Sequence, residues 1–265
     1  MTTAQAADPL KSMSRYSPYG WRGKIGVIVP STNVCTEAEW ARVMPEGVSF
    51  HVARTLLAGA TSQDSYNKLA DGAEGAAAHL RTAEIDLVSF VCTSGSFMVD
   101  RNALNAKMGI AANAPSTTTA DAVLAAFAEL GVTKVALATP YLDVVNATEV
   151  EFLSKHGIQT VACSGLQLGV TAEERRLINR VPPEVVYRMA VDIDRPDAQA
   201  IFLSCTALPT YSVIDRIEQT LGKPVVASNP ATLWHCLRAL GINDRVPSYG
   251  LLLDGRSPRL VGDQS

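Results

Sequence analysis

Two stretches, Lys24-Ile-Gly-Val-Ile-Val-Pro30 and Lys134-Val-Ala-Leu-Ala-Thr-Pro140, decide the fold. Each is a short apolar run that ends at a proline, and the two lie 110 positions apart. Held at 110, the register also pairs Val34 with Val144, Glu39 with Glu149 and Gly47 with Gly157. Those two glycines each open another strand-like run, Val48–Ala53 and Ile158–Cys163. Further on the offset becomes 113, and Asp86-Leu-Val-Ser-Phe-Val-Cys92-Thr93 lies over Gln199-Ala-Ile-Phe-Leu-Ser-Cys205-Thr206. Pro115 and Pro224 then mark a further short segment in each half. Helical stretches Thr119–Leu130 and Pro230–Leu240 follow and close at Gly131 and Gly241. The identities are few, but they keep their order with only three residues of slippage. The chain therefore reads as one unit duplicated.

Each copy reads strand then helix, four times over. Short buried strands alternating with longer helical patterns imply parallel sheets covered by helices. The stretch Asp143–His156 is an example, with Val144, Val145, Val150 and Leu153 at roughly helical spacing and Gly157 where the helix should stop. The expected fold is α/β: two pseudo-symmetric lobes, each a four-stranded parallel sheet flanked by helices, with the active site in the cleft between them. Ligands of open parallel sheets bind beyond the carboxyl ends of the strands. Pro30, Cys92, Pro140 and Cys205 all fall at that edge, which sets one Cys-Thr pair on each side of the cleft.

Composition bounds what such a chain does. Its 265 residues are 47% hydrophobic and 18% charged, enough for a sizeable core. Lys plus Arg is 23 and Asp plus Glu is 26, a formal charge of −3, so nucleic acid is not an expected partner. No apolar run approaches the ~20 residues that span a bilayer, so no membrane is expected either. The first twenty residues lack an apolar secretory core and read as a mobile tail, 1–20. Five cysteines with no C-x-x-C spacing, and four histidines with no H-x-x-x-H, argue against a disulfide framework or a zinc site. A reducing cytoplasm is the expected compartment.

A thiol becomes useful when its ordinary pKa, ~8.5, is lowered at a helix start. Cys92 and Cys205 each close a strand just before an expected helix. Thr93, Ser94 and Thr206 add hydroxyls and backbone N–H groups able to hold a carboxylate and an enediolate. Two thiols on opposite faces of a planar carbon can remove a proton from one side and return one from the other. Alternatively one adds to an activated double bond while the other protonates it. Neither scheme needs a metal or an organic cofactor. Cys35, Cys163 and Cys236 read as small buried hydrophobes, and His235 as a structural residue within its helix. Ser31, Thr32 and Asn33 after the first strand are good helix caps, and three in a row at the ligand edge also suggest ligand contact. Tyr141, directly after Pro140, is placed to donate to a developing oxyanion. Ser228-Asn229-Pro230 reads as a structural turn and helix start.

These residues resemble the aspartate/glutamate racemase superfamily, in its maleate isomerase and arylmalonate decarboxylase branch. The likeness rests on I-G-V-I-V-P-S-T-N (Ile25–Asn33), V-C-T-S-G-S-F (Val91–Phe97), V-A-L-A-T-P-Y (Val135–Tyr141), F-L-S-C-T-A-L (Phe202–Leu208) and K-P-V-V-A-S-N-P-A (Lys223–Ala231). Ectoine-utilisation proteins of the same branch look similar around S-C-T. The resemblance implies lobes of residues 20–118 plus 229–265 and of 119–228, no cofactor, and a small carboxylate in the cleft. It also admits a homodimer. Cys92 then looks like the nucleophile or base and Cys205 the acid. Asn33, Thr93, Ser94, Tyr141 and Thr206 then look like substrate contacts, to which the residue pattern after the first strand adds Ser31. Where this chain has Cys92 the arylmalonate decarboxylases have glycine, and a second pocket asparagine of the maleate isomerases has no clear match near Gly169–Glu173.

The leading expectation is a cofactor-independent isomerase, cis-trans or racemising, of a small carboxylate or dicarboxylate. The alternatives are an arylmalonate-type decarboxylase with Cys205 as proton donor, and an intracellular carboxylate-binding protein without catalysis.

Overall fold

A computed structural model describes residues 17–255. Most of the expected N-terminal tail, residues 1–16, and the last ten positions lie outside the described residues. Two four-stranded parallel sheets form the frame. The first holds β1 (Gly23–Pro30), β2 (Val48–Thr55), β3 (Leu87–Phe90) and β4 (Ser116–Thr118), in the order β2-β1-β3-β4. The second holds β5 (Lys134–Thr139), β6 (Gln159–Gly165), β7 (Ala200–Leu203) and β8 (Val225–Ala227), in the order β6-β5-β7-β8.

The pairing reproduces the offsets of the sequence. Lys24 pairs with Ser49 and Lys134 with Gln159, both shifted by 110. Ile25 pairs with Leu87 and Val135 with Ala200, shifts of 110 and 113. The duplication is thus one of hydrogen-bond register as well as of residue pattern, except that β6 slips by one residue against β5 after Val135.

The helices follow in chain order: α1 (Cys35–Val43), α2 (Gln63–Arg81), α3 (Thr93–Phe97), α4 (Arg101–Ala112) and α5 (Thr119–Glu129) in the first repeat. The second carries α6 (Asp143–Lys155), α7 (Ala172–Leu177), α8 (Pro183–Ile193), α9 (Ile214–Leu221) and α10 (Ser228–Ala239), with a short α11 (Leu251–Asp254) at the end. Local chemistry sets several starts. Ser62 and Ser65 form a capping box on α2, and Thr118 and Asp121 form one on α5. The expected stop of the helix at 143–156 holds: α6 ends at Lys155, and Gly157 takes φ +78°.

Both central strands are buried on both faces, which is why they read as continuous apolar runs. Ile25, Val27 and Val29 of β1 share one core with Val135 and Leu137 of β5. Phe127 of α5 and Leu233 of α10 belong to it, and Phe127 meets Phe202 edge-on at 5.4 Å. Ile28 points the other way, into a core with α2 and α4, whereas Ala136 and Ala138 face α8 and α9. Helices α5 and α10 pack on each other between the sheets, and α10 also touches α1 and β3. The frame is therefore layered, with one core common to both repeats. Among the described residues no helix is long and apolar enough to cross a membrane.

Gly165 ends β6 where a Cβ would lie 2.3 Å from the Tyr141 carbonyl oxygen and 2.6 Å from the Asn146 side-chain nitrogen. Gly165→Ala must push the Tyr141 loop off its seat. A loss of about 1–3 kcal/mol is expected, read as a lower denaturant midpoint with an unchanged slope.

Candidate active site

The sequence-predicted thiols come together. Cys92, from the end of β3, and Cys205, from the end of β7, line one cavity enclosing about 530 Å³ of empty space, part of it open to solvent. Asn33, Thr93, Ser94, Tyr141 and Thr206 line it too. Ser31 does not. Its hydroxyl accepts from the Leu57 N–H (3.0 Å) and shapes the loop after β2, so the structure places the expected ligand contact beside the cavity lining rather than in it.

Cys92 sits at the helix start that the sequence predicts. It occupies the N-cap of α3, and its sulfur accepts from the Gly95 N–H at 3.4 Å. The matching expectation for Cys205 fails. No helix follows it; a turn-rich loop runs to α9 at Ile214, and the Ala207 N–H reaches the Cys205 sulfur at 3.4 Å. Cys205 also adopts φ +129°, a conformation that costs a non-glycine residue about 1–3 kcal/mol. The surroundings must hold it there.

Ser228 supplies that hold. Its hydroxyl accepts from the Cys205 N–H (3.0 Å) and from the Thr93 hydroxyl (2.8 Å). Thr206 donates to the Val91 carbonyl at 3.2 Å, and Asn229 donates to the Thr206 carbonyl at 2.9 Å. Both threonine hydroxyls, expected as carboxylate donors, donate to protein acceptors here while still lining the cavity. Asn33 is similarly engaged. Its carbonyl oxygen accepts from the Cys35 and Thr36 N–H groups, capping α1, and its amide donates to Thr36 and Thr206. The expected structural reading of Ser228 and Asn229 fits, though both lie inside the first turn of α10 rather than ahead of it.

Other candidates separate cleanly. Cys35 and Cys236 are buried as expected, and the Cys35 thiol donates to the Ala207 carbonyl. Cys163 departs from the expectation: it lies exposed on the edge strand β6. Tyr249 packs on Tyr211, ring centroids 5.3 Å apart.

Burial governs the electrostatics. It pushes the Cys205 thiol up to about 12, against the Tyr141 hydroxyl and Ala207 N–H that favour the thiolate. It raises Cys92 as well, opposed by the Gly95 N–H, the Ser94 hydroxyl and the Arg175 cation. The influence of Arg175 favours the Cys92 thiolate, while Glu149 and Cys92 both disfavour a Cys205 thiolate. The Tyr141 phenol, likewise raised by burial, stays a donor. Its hydroxyl lies buried against the Cys205 sulfur without a partner at good hydrogen-bond geometry.

Sequence reasoning missed several lining residues, chief among them Tyr66 of α2 and Arg175 of α7. Ser94 hydrogen-bonds the Tyr66 phenol, and the Arg175 guanidinium lies 5.4 Å from the Tyr66 ring centre. Arg175 sits in the charged run Ala172-Glu-Glu-Arg-Arg176, in which nothing local marks one arginine as buried.

Two thiols from two repeats, lining one cavity in a doubled parallel α/β frame, mark that cavity as the candidate active site of a small two-lobed α/β enzyme. The chain belongs to the arylmalonate decarboxylase family, whose model matches residues 25–253. It is 34% identical over 236 residues to the arylmalonate decarboxylase of Bordetella bronchiseptica, covering 87% of this chain and 96% of that one. It is 25% identical over 252 residues to a maleate isomerase of Geobacillus stearothermophilus, covering 88% and 98%. A liganded arylmalonate decarboxylase double mutant, with a glycine changed to cysteine and a cysteine to serine, superposes with TM-score 0.79 at 33% identity, covering 88% and 99%. A maleate isomerase from Pseudomonas putida S16 with maleate superposes with TM-score 0.82 at 22% identity, covering 88% and 98%, a likeness of fold.

Two outcomes follow. Ser228→Ala strips the Cys205 N–H of its acceptor, so stability should fall by about 1–3 kcal/mol and turnover should fall with both thiols present; unfolding and kinetics read the two together. Burial raises Glu149, whose Oε1 accepts from the Ser204 hydroxyl at 2.6 Å, from 4.5 to about 8. Between those values the folded chain binds the extra proton, so stability should decline as pH rises from about 4.5 to about 8. Glu149→Gln should flatten that part of the stability–pH curve.

Proposed function

We propose that the chain is a cofactor-independent isomerase of a small carboxylate, using Cys92 as nucleophile or base and Cys205 as acid. The observation that carries the reading is the pair of thiols, one from each repeat, lining one cavity. Decarboxylation needs a single proton donor, whereas two opposed thiols permit both halves of an isomerisation. The electrostatics support the assignment: burial raises both thiols, but the Arg175 cation opposes that rise at Cys92, whereas Glu149 adds to it at Cys205.

In the cis-trans form, the Cys92 thiolate bonds to one alkene carbon. The π electrons move to the other carbon, conjugated with the carboxylate, and that carbon takes the Cys205 proton. After rotation about the new single bond, Cys205 takes the proton back and the C–S bond breaks, returning the thiolate. In the racemising form, Cys92 removes the proton alpha to the carboxylate and Cys205 delivers its own from the opposite face. Both forms pass through an enediolate, to which the Tyr141 hydroxyl, buried without a partner, can donate. The five free cysteines suit a reducing cytoplasm.

A second reading, an arylmalonate-type decarboxylase with Cys205 as the proton donor, is supported by the 34% identity to the Bordetella enzyme. The two part at Cys92. A panel of maleate, aspartate, hydantoin-type acids and arylmalonates, assayed in heavy water without added cofactor, reads product identity and deuterium uptake. Under the isomerase reading, Cys92→Ser and Cys205→Ser each lower kcat/KM by at least ~100-fold. Near-normal turnover in either variant would sink the two-thiol scheme. Carbon dioxide release from an arylmalonate that survives Cys92→Gly would establish the decarboxylase instead.

A further inference from the structure

Arg175 is only 6% exposed, yet no carboxylate among the described residues pairs with it. Its Nη2 donates to the Ser65 hydroxyl at 3.2 Å, and its plane lies over Tyr66. Its Nη1 is buried with no hydrogen-bond partner, and no ion pair among the described residues includes it. The adjacent Arg176, by contrast, pairs with Glu173 on the surface. Burying a cation without an anion is costly. A guanidinium with an open N–H edge is also the side chain best shaped for a carboxylate.

The cavity holds a second buried donor without a partner, the Tyr141 hydroxyl. The two stand at different sulfurs: Tyr141 lies against Cys205, while Arg175 acts on Cys92. A molecule spanning the thiols therefore meets one open donor at each. Resting on the reading of this cavity as the substrate site, we propose that Arg175 holds a second acidic group at the remote end of the substrate. The substrate is then a small acid charged at both ends, and an acid whose remote end is apolar or aromatic is disfavoured.

Succinate and butyrate test this, having the same four-carbon length and differing only at one end. Isothermal titration calorimetry at neutral pH on the wild-type protein should show succinate binding at least ~10-fold more tightly than butyrate, a difference of about 1.4 kcal/mol. Arg175→Gln should erase that preference by weakening succinate alone, and Arg175→Lys should restore part of it. Butyrate matching succinate on the wild-type protein would overturn the proposal while leaving the cavity as a carboxylate site, and needs no variant to fold. Equal losses for both acids in a folded Arg175→Gln protein would also overturn it. So would an unchanged preference accompanied by slower alkylation of Cys92, which would make Arg175 a positioning residue for the thiol. Failure of both acids to bind the wild-type protein would remove the substrate-site reading and this proposal with it.

Discussion

The cavity exists because one hydroxyl joins its two halves. Ser228 accepts from Thr93, beside the first thiol, and from the backbone N–H of Cys205, the second. The Thr206–Val91 bond repeats the tie in the other direction. Without these bonds, Cys205 would have little reason to keep a left-handed φ that its side chain disfavours. Strain at Cys205 and hydrogen bonds at Ser228 behind it form one device, which fixes two sulfurs from distant parts of the chain against one space.

Glu39 extends the same logic. Buried in α1, it accepts from the Thr210 and Tyr211 N–H groups and from the Asn229 amide, so it pins the loop that leaves Cys205. Burial raises it to about 7. Its repeat-mate Glu149, raised further, stands behind Cys205 and hydrogen-bonds Ser204. The two repeats thus use equivalent carboxyl groups to support the same thiol loop from both lobes. Tyr141 and Arg175 line the same pocket, each with a buried donor atom that has no partner among the described residues.

Much of this was legible before any coordinates. Offsets of 110 and 113 between the halves return as strand register. The pairing of Glu39 with Glu149, read only as a mark of duplication, returns as two buried carboxyls. Cys92 at a helix start follows from a strand giving way to Thr, Ser and Gly. The helix expected after Cys205 does not form there, since Pro209 and the contacts of Glu39 hold residues 206–213 in turns. Ser31 lies off the cavity lining for a different reason: three polar residues in a row look alike in sequence, and only the loop carrying Leu57 decides which one faces it.

What the sequence determined by itself was periodic: strand and helix order, duplication, and the edge at which the cysteines fall. Those follow from local backbone preference and from which residues must leave water, and neighbours along the chain suffice to reveal them. Tertiary structure alone decided which polar groups are spoken for. Thr93 and Thr206 lose their free protons to partners 135 and 115 residues away, and Arg175 becomes a buried charge through Ser65, 110 residues distant. Hydrogen-bond saturation and desolvation depend on whatever packs alongside in space, and no reading of adjacent letters contains that information.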